Sequence, residues 1–333
     1  MLRLHPYEYH RPRRLEEALD LLAEHGDDAM PIAGGTDLVP NMKHGLFTPG
    51  HLVSLGRVEE LRGFDRADDG AIRIGAAESL DSVSRDPRIR EDWPILADAC
   101  SRISGPQLRR MGTLGGNVCL DTRCTYYNQT RFWRESLGFC LKKDGDVCHV
   151  VPGGTRCVAA HSADGATALC AIGAELEIAS PGGERRTVPI DAFFTSDGVW
   201  NRRMERGEIL VALHLPPGTP GTRAAFRKLR IRDAIDFPLA NVAAVVHFDP
   251  AGAAESLRLY VSGMGSYPRK VGKVDEIVAA GPLDDGRIEA VAEQAFRQCH
   301  PLANITADAE WRRAMIPVMV SRVLRGLIEP NPD

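Results

Sequence analysis

The spacing of apolar residues changes between helical and strand-like periods along the chain. Residues 15–26 have apolar side chains at helical spacing and end in a glycine, a common helix C-cap. Alternation of apolar and polar residues predicts strands at residues 51–55 and 71–77. Residues 80–103 predict helical structure interrupted by a proline, and residues 168–180 predict a helix end followed by a strand. The first part of the chain therefore mixes helices and strands.

The C-terminal part has a simpler pattern. Residues 239–249 and 255–265 predict two strands joined by a short turn, and two amphipathic segments, 286–299 and 309–329, predict helices that cover them. Residues 215–226 contain three prolines and two glycines, which is typical of a domain boundary. We predict an α+β fold with two domains, residues 1–216 and 217–333.

Composition excludes several classes of function. Net charge is −4 over 333 residues, which argues against nucleic acid as the main partner because phosphate binding needs a basic face. No apolar run approaches the roughly 20 residues that a membrane span requires, and the N-terminus has no signal-peptide pattern. We therefore expect a cytoplasmic protein that does not bind membranes.

Two glycine turns are the first candidates for a binding site. "AGGTD" at residues 33–37 and "GTLGGN" at residues 112–117 both place consecutive small residues beside hydroxyl or amide groups. Two such loops brought together could hold a pyrophosphate through backbone N–H groups. Neither turn has the G-x-G-x-x-G pattern of a Rossmann fold or the G-K-[ST] of a P-loop.

Several ordered motifs resemble one family. These are "PIAGGTDL", "GTLGGNV", "DGATALCAIGAELEI", "GEILVALHLP" and "FRKLRIRDAIDFPLANVA", which together span most of the chain. They resemble the FAD-binding medium subunit of the molybdenum hydroxylases, the xanthine dehydrogenase and carbon monoxide dehydrogenase family. The resemblance implies a two-part FAD-binding domain of the vanillyl-alcohol-oxidase (PCMH) type, followed by an antiparallel sheet with helices.

The same resemblance implies a set of FAD-binding residues. The pyrophosphate loops match Ile32, Ala33, Gly34, Gly35, Thr36, Asp37 and Leu38 in the first turn, and Thr113, Gly115, Gly116 and Asn117 in the second. The aspartate that contacts the flavin cofactor matches Asp164. Positions that line the cofactor or pack beside its rings match Ile103, Ser104, Ile209, Leu210 and Lys228. Apolar members of this set are also what an ordinary core would contain.

Eight cysteines raise a second question, since five of them fall between residues 119 and 157. In a reducing cytoplasm such a cluster favours a metal or iron–sulfur site over disulfides. The other three, Cys100, Cys170 and Cys299, are expected to be buried core residues. Four thiolates suit a [4Fe–4S] cluster or a structural zinc, and the spacing of Cys124, Cys140, Cys148 and Cys157 does not decide between them.

Resemblance favours the cluster. Asn117 and Asp164 lie 47 positions apart, whereas ordinary family members join these sites by a short connection, so residues 119–160 form an insertion. An insertion that begins "LDTRCTYYNQT" is similar to the beta subunit of 4-hydroxybenzoyl-CoA reductase, the branch with an additional [4Fe–4S] cluster. This implies Cys124, Cys140, Cys148 and Cys157 as ligands and Cys119 as a non-ligand, although Cys119 could exchange with Cys124.

The implied function is electron transfer without catalytic residues on this chain. The resemblance implies a large molybdopterin subunit and a small subunit with two [2Fe–2S] clusters, paired as a dimer of heterotrimers. A ferredoxin-like carrier would supply electrons through the cluster, and Lys142 and Lys143 on an exposed insertion would favour its acidic surface. Two alternatives stay open: a hydroxylase subunit that exports electrons, and a flavin-free scaffold stabilised by zinc.

Overall fold

The computed structural model describes residues 2–328, and within them the chain begins with a small parallel sheet. Its strand order is β1-β3-β2, and Leu52 pairs with both Tyr9 and Met30. Helix α1 covers this sheet with a buried apolar face and ends before Gly26, as its sequence pattern predicts. The elements are β1 (Glu8–His10), α1 (Leu15–His25), β2 (Ala29–Ile32), α2 (Leu38–Lys43) and β3 (His51–Ser54).

A five-stranded antiparallel sheet follows, with strand order β4-β5-β8-β6-β7. Short helices pack on it around a core that contains Ile74, Leu96, Leu169 and Leu213. The elements are β4 (Phe64–Arg66), β5 (Ile72–Gly75), α3 (Leu80–Arg85), α4 (Pro87–Asp92), α5 (Pro94–Ser101), α6 (Pro106–Met111), α7 (Leu114–Val118), α8 (Arg131–Ser136), α9 (Asp164–Ile172), β6 (Glu175–Ala179), β7 (Arg185–Pro189), α10 (Ile190–Phe193) and β8 (Ile209–Leu215).

The C-terminal sheet is antiparallel, with order β12-β11-β10-β9. Because side chains alternate along a strand, β10 contributes to two cores: Val242 packs toward the C-terminal helices, whereas Ala243 belongs to the core of the preceding sheet. The elements are β9 (Thr222–Leu229), β10 (Ala240–Phe248), β11 (Ala254–Ser262), β12 (Arg269–Lys270), α11 (Val274–Val278), α12 (Asp285–Gln298) and α13 (Ala309–Ile328). Both cores therefore meet at this sheet.

These elements confirm the α+β class and the antiparallel C-terminal sheet. The predicted helical region 80–103 is broken twice, because Pro94 starts a new helix in addition to Pro87. Strand β9 begins at Thr222, inside the segment 215–226 that was predicted to be a boundary. Cys100, Cys170 and Cys299 are buried in the cores, as expected. Residues 329–333 of the predicted second domain lie outside the described residues.

Within residues 2–328, no helix has both the length and the apolar character needed to cross a membrane.

Candidate functional site

The first glycine turn leaves strand β2 and enters helix α2. Gly35 has φ 69°, a left-handed conformation that favours glycine. Gly34 has another constraint, since a Cβ there would lie 1.9 Å from the carbonyl oxygen of Met111. The backbone of this turn therefore lies directly against the end of α6, next to the second turn.

The amides of this first turn are available to a ligand. The backbone N–H groups of residues 33–36 donate no hydrogen bond to any part of the chain that the structure describes, although all four residues line a cavity. Four neighbouring donors without protein acceptors are what an anionic group such as a pyrophosphate needs. The turn therefore fits the phosphate role.

Hydrogen bonds within the protein already use the glycine amides of the second turn. Gly115 N donates to Ala76 O at 2.8 Å, and Gly116 N donates to Thr113 Oγ1 at 3.0 Å. A Cβ on Gly115 would lie 2.6 Å from the Cβ of Ala76. The amides of both glycines are thus already occupied, and these glycines bring the turn close to strand β5 rather than supplying free donors.

A buried ion pair lies at another part of the same cavity. Asp164 Oδ2 is 2.6 Å from Lys228 Nζ, and Asp164 Oδ1 accepts a hydrogen bond from Asn241 Nδ2 at 2.8 Å. Burial raises the pKa of the Asp164 carboxyl, while the charge of Lys228 acts in the opposite direction. The side chains of Asp164 and Lys228 are 3% and 1% exposed, so the pair is sequestered from solvent.

One cavity of about 1000 Å³ unites these features. Its walls include every residue that the resemblance implied for FAD: Ile32, Ala33, Gly34, Gly35, Thr36, Asp37, Leu38, Ile103, Ser104, Thr113, Gly115, Gly116, Asn117, Asp164, Ile209, Leu210 and Lys228. The volume is at the upper end of the range of about 300–1,000 Å³ that is typical of ligand pockets. Residues that are distant in sequence thus form one site large enough for a dinucleotide.

The four cysteines of the insertion meet at a second, small cavity of about 20 Å³. Cys140, Cys148 and Cys157 are buried, and Cys124 is half-buried. Cys119 lies instead on the wall of the large cavity. Cys119 therefore lies apart from the four cysteines of the small cavity and faces the large cavity instead.

Backbone amides are directed at the cysteine sulfurs. Val151 N donates to Cys148 Sγ at 3.4 Å. Burial raises the pKa of the Cys124 thiol, and the neighbouring amides of Tyr126 and Tyr127 act in the opposite direction. Burial raises the pKa of the Cys157 thiol to about 11, against a hydrogen bond from the Ala159 amide. Such N–H donors stabilise thiolates and are a known means of tuning metal-bound sulfur.

The distances between the sulfurs bear on the kind of metal. Zinc holds four thiolates at about 2.3 Å, which puts the sulfurs about 3.8 Å apart. In the described part of the chain, no three of these sulfurs lie within 4.8 Å of one another. The arrangement is wider than a single tetrahedral ion requires.

The insertion is tied to both halves of the protein. Arg123 and Ala160 form an antiparallel bridge that closes its neck, and Arg123 Nη1 lies 2.7 Å from Asp37 Oδ1. From the C-terminal half, Asn304 O accepts from Thr125 N at 2.8 Å, and Asn304 Nδ2 donates to Val158 O. The cysteine loops are therefore fixed relative to the large cavity.

One expectation about the insertion surface is wrong. Lys142 was predicted to be exposed together with Lys143, but its side chain is 4% exposed, whereas that of Lys143 is 42% exposed. Lys142 Nζ lies 2.7 Å from Asp121 Oδ1, and this ion pair stabilises the charge inside the protein. A pair of adjacent lysines in sequence contains no signal that would have revealed this.

Sequence reasoning also missed the partners of the predicted residues. Asn241 supports Asp164, Arg123 supports Asp37, and Tyr127 lines both cavities. Asn241 lies within a quoted motif, but nothing in its spacing indicates contact with Asp164.

Comparisons with known proteins agree with this geometry. Residues 5–218 match the family described as the FAD binding domain in molybdopterin dehydrogenase, and residues 224–327 match the CO dehydrogenase flavoprotein C-terminal domain. The chain is 31% identical to the xanthine dehydrogenase FAD-binding subunit of Escherichia coli O157:H7, over 95% of this chain and 94% of that protein. It is 28% identical to the carbon monoxide dehydrogenase medium chain of Hydrogenophaga pseudoflava, over 96% of each.

A solved structure extends the similarity to three dimensions. Carbon monoxide dehydrogenase from Hydrogenophaga pseudoflava superposes with a TM-score of 0.80 at 26% identity, covering 98% of each chain. The fold of an FAD-binding domain followed by the C-terminal flavoprotein domain is confirmed over the described residues. This chain belongs to the family of FAD-binding medium subunits of the molybdenum hydroxylases, the xanthine and carbon monoxide dehydrogenases.

Proposed function

We propose that this chain is the FAD and [4Fe–4S] electron-transfer subunit of a molybdenum enzyme similar to 4-hydroxybenzoyl-CoA reductase. The observation that carries the proposal is the convergence of Cys124, Cys140, Cys148 and Cys157 at one small cavity that shares wall residues with the flavin-sized cavity. Four thiols from separate positions of one insertion that meet at a common point match the ligand complement of a [4Fe–4S] cluster.

FAD fits the large cavity. The free amides of residues 33–36 would bind the pyrophosphate, and the second turn would position Thr113 and Asn117 beside it. Asp164 would contact the flavin cofactor, and Ile103 and Ser104 would pack beside its rings. Ile209, Leu210 and Lys228 would line the cofactor. The flavin, once bound, supplies the chemistry of accepting and releasing electrons.

A [4Fe–4S] cluster fits the chemistry of the cysteine site. Four thiols are the usual complement for such a cluster, and the Val151 N–H already donates to one of the sulfurs, Cys148 Sγ. The spacing of the cysteines along the chain suits either metal, and the resemblance of the insertion favours the cluster. The cavity is small, so the cysteine side chains have to turn outward to accept iron and sulfide.

The proposed assembly and domain division follow from the same resemblance. We propose domains 1–216 and 217–333, with the insertion at about 119–160. The proposed partners are a large molybdopterin subunit and a small subunit with two [2Fe–2S] clusters, in a dimer of heterotrimers. An external donor such as a ferredoxin would deliver electrons near the insertion, and the partner molybdenum subunit would carry out the substrate chemistry.

A second candidate is a flavin subunit that exports electrons from substrate oxidation. The names of the relatives favour it, since they are a xanthine dehydrogenase subunit and a carbon monoxide dehydrogenase chain. In that case the cysteine site would serve as an exit for electrons. The cysteine insertion itself is common to both candidates.

The decisive experiment counts iron and flavin in anaerobically purified chain. We expect one non-covalent FAD and about four irons per chain, the content of a [4Fe–4S] cluster. Cys140→Ser and Cys157→Ser should lose the iron and its electron paramagnetic resonance signal after dithionite reduction, but keep FAD. Cys119→Ser is the matched control and should keep both.

One outcome would overturn the cluster proposal, and another would change its ligands. Zinc without iron in the wild-type chain would exclude the cluster and favour a structural metal site. Loss of iron in Cys119→Ser but not in a Cys124→Ser chain would reassign the ligands while retaining the cluster.

A further inference from the structure

Two residues form the wall between the large cavity and the cysteine cavity. Tyr127 and Lys142 line both. The charged nitrogen of Lys142 lies 4.5 Å from the centre of the Tyr127 ring. These two side chains are therefore in contact with both cavities.

The charge of Lys142 is held in place by a complete set of acceptors. Its Nζ donates to Asp121 Oδ1 at 2.7 Å, to Gly198 O at 2.9 Å and to Thr122 O at 3.1 Å, with Thr122 Oγ1 also in contact. The side chain is 4% exposed. Lys142 is therefore a fixed, desolvated positive charge rather than a mobile surface lysine.

The ion pair has a definite orientation. Lys142 lines both cavities, whereas its partner Asp121 lines only the large cavity and is more exposed, at 19%. Of the two charged side chains, only that of Lys142 forms part of the cysteine cavity's wall, and solvent screens the carboxylate of Asp121 more strongly. Burying such a pair is costly compared with apolar side chains, so stability alone is a weak reason for its presence.

We propose that Lys142 is a positioning residue that raises the reduction potential of the cluster bound by the four cysteines. The inference rests on the proposed function. One-electron reduction adds one negative charge beside the cavity wall, without a proton, and a fixed positive charge of low exposure stabilises that reduced state. Lys142 would thereby allow the cluster to accept an electron from a donor of less negative potential.

The test is the midpoint potential of the cluster, measured in the intact chain by electron paramagnetic resonance during an anaerobic redox titration. Lys142→Met should lower the potential by roughly 59 mV, which corresponds to about a tenfold change in the equilibrium constant for one electron. Lys142→Arg retains the charge and should keep the potential near the wild-type value. Lys143→Met removes a neighbouring charge that is open to solvent and should change it little.

A double variant distinguishes the effect of the Lys142 charge from the effect of leaving Asp121 unpaired. Lys142→Met leaves Asp121 without its cation, so the double variant Asp121→Asn/Lys142→Met removes both charges and preserves neutrality. A lowered potential in either variant with full iron content supports the inference. An unchanged potential with full iron overturns it, as does loss of the cluster in both variants, which would make Lys142 a structural residue. Absence of iron from the wild-type chain would instead overturn the proposed function.

Discussion

Gly34 and Gly35 are neighbours, yet the structure requires glycine at each for a different reason. Gly35 has a positive φ, whereas Gly34 is in close contact with the backbone at Met111. A conformational requirement of the first kind is readable from a Gly-Gly turn. A close approach between two distant loops is not, because it depends on how α6 returns to the first turn.

The first prediction concerns Gly34. Gly34→Ala should release FAD during gel filtration, because a Cβ placed 1.9 Å from the Met111 carbonyl would push the two glycine turns apart. Gly326→Ala is the control, since a Cβ there contacts nothing within 4 Å. Full flavin absorbance in Gly34→Ala would show that the first turn does not hold the cofactor.

The second prediction concerns pH. His161 is buried, with Nδ1 2.8 Å from Ser262 Oγ, and burial lowers its pKa to about 3. Between pH 6.5 and about 3, the unfolded chain binds a proton at this residue and the folded chain does not. Stability therefore falls as pH falls through this window, by at most about 1.4 kcal/mol per pH unit.

Denaturant unfolding at pH 7, 6 and 5 measures this effect. His161→Gln should show a shallower loss of stability toward pH 5 than the wild-type chain, whereas His5→Gln, at an exposed position, should follow the wild type. Equal slopes for the wild type and His161→Gln would mean that other groups dominate acid unfolding.

At the scale of elements, the described insertion contains no regular strand, and contacts with the rest of the protein hold it in place. Its only helix in the described chain, α8, is six residues long, and Arg134 on it is buried with Nη2 2.9 Å from Gly45 O. Arg123 and Asn304 fix the neck. The cysteine loops are thus positioned by long-range contacts rather than by local propensity.

The third prediction follows from the role of Asn304. Asn304→Ala removes the donor to Val158 O, next to Cys157, and leaving this carbonyl unsatisfied costs about 1–3 kcal/mol. We expect faster loss of iron on incubation with a chelator, with FAD retained. Asn241→Ala, which loses the contact with Asp164, should instead lose FAD and retain its iron. Similar iron loss in both variants would indicate general unfolding, and not a local effect of the Asn304 hydrogen bond on the cysteine site.

At the scale of the whole molecule, the two cavities adjoin each other and share the wall residues Tyr127 and Lys142. From the C-terminal sheet, Lys228 lines the large cavity and Asn241 donates a hydrogen bond to Asp164. The same sheet packs against α9. The proposed FAD site is therefore assembled from both halves of the chain.

The fourth prediction addresses the direction of electron flow in the complete complex with its partner subunits. If electrons enter through the cluster, flavin bleaching by a reduced ferredoxin should slow sharply in Cys140→Ser, whereas bleaching from the molybdenum side should persist. Stopped-flow absorbance with each reductant in turn makes the comparison, with Cys119→Ser as control. Equal donor rates in wild type and Cys140→Ser would place the cluster off the path and favour the exporting enzyme.

The sequence by itself determined the local features of this protein. Helix α1, the hairpin of β10 and β11, and the two glycine turns follow from periodicity and turn chemistry over a few residues. The ordered motifs also identified the family and the residues that line the large cavity. These features are predictable because neighbouring residues along the chain specify them.

Only the tertiary structure decided how distant residues meet. The spacing of the four cysteines left cluster and zinc equally open, and their convergence at one small cavity became visible only in the fold. The burial of Lys142 beside Asp121 and the shared wall at Tyr127 likewise depend on contacts across the insertion. Such contacts depend on long-range packing and desolvation, which no short stretch of sequence encodes.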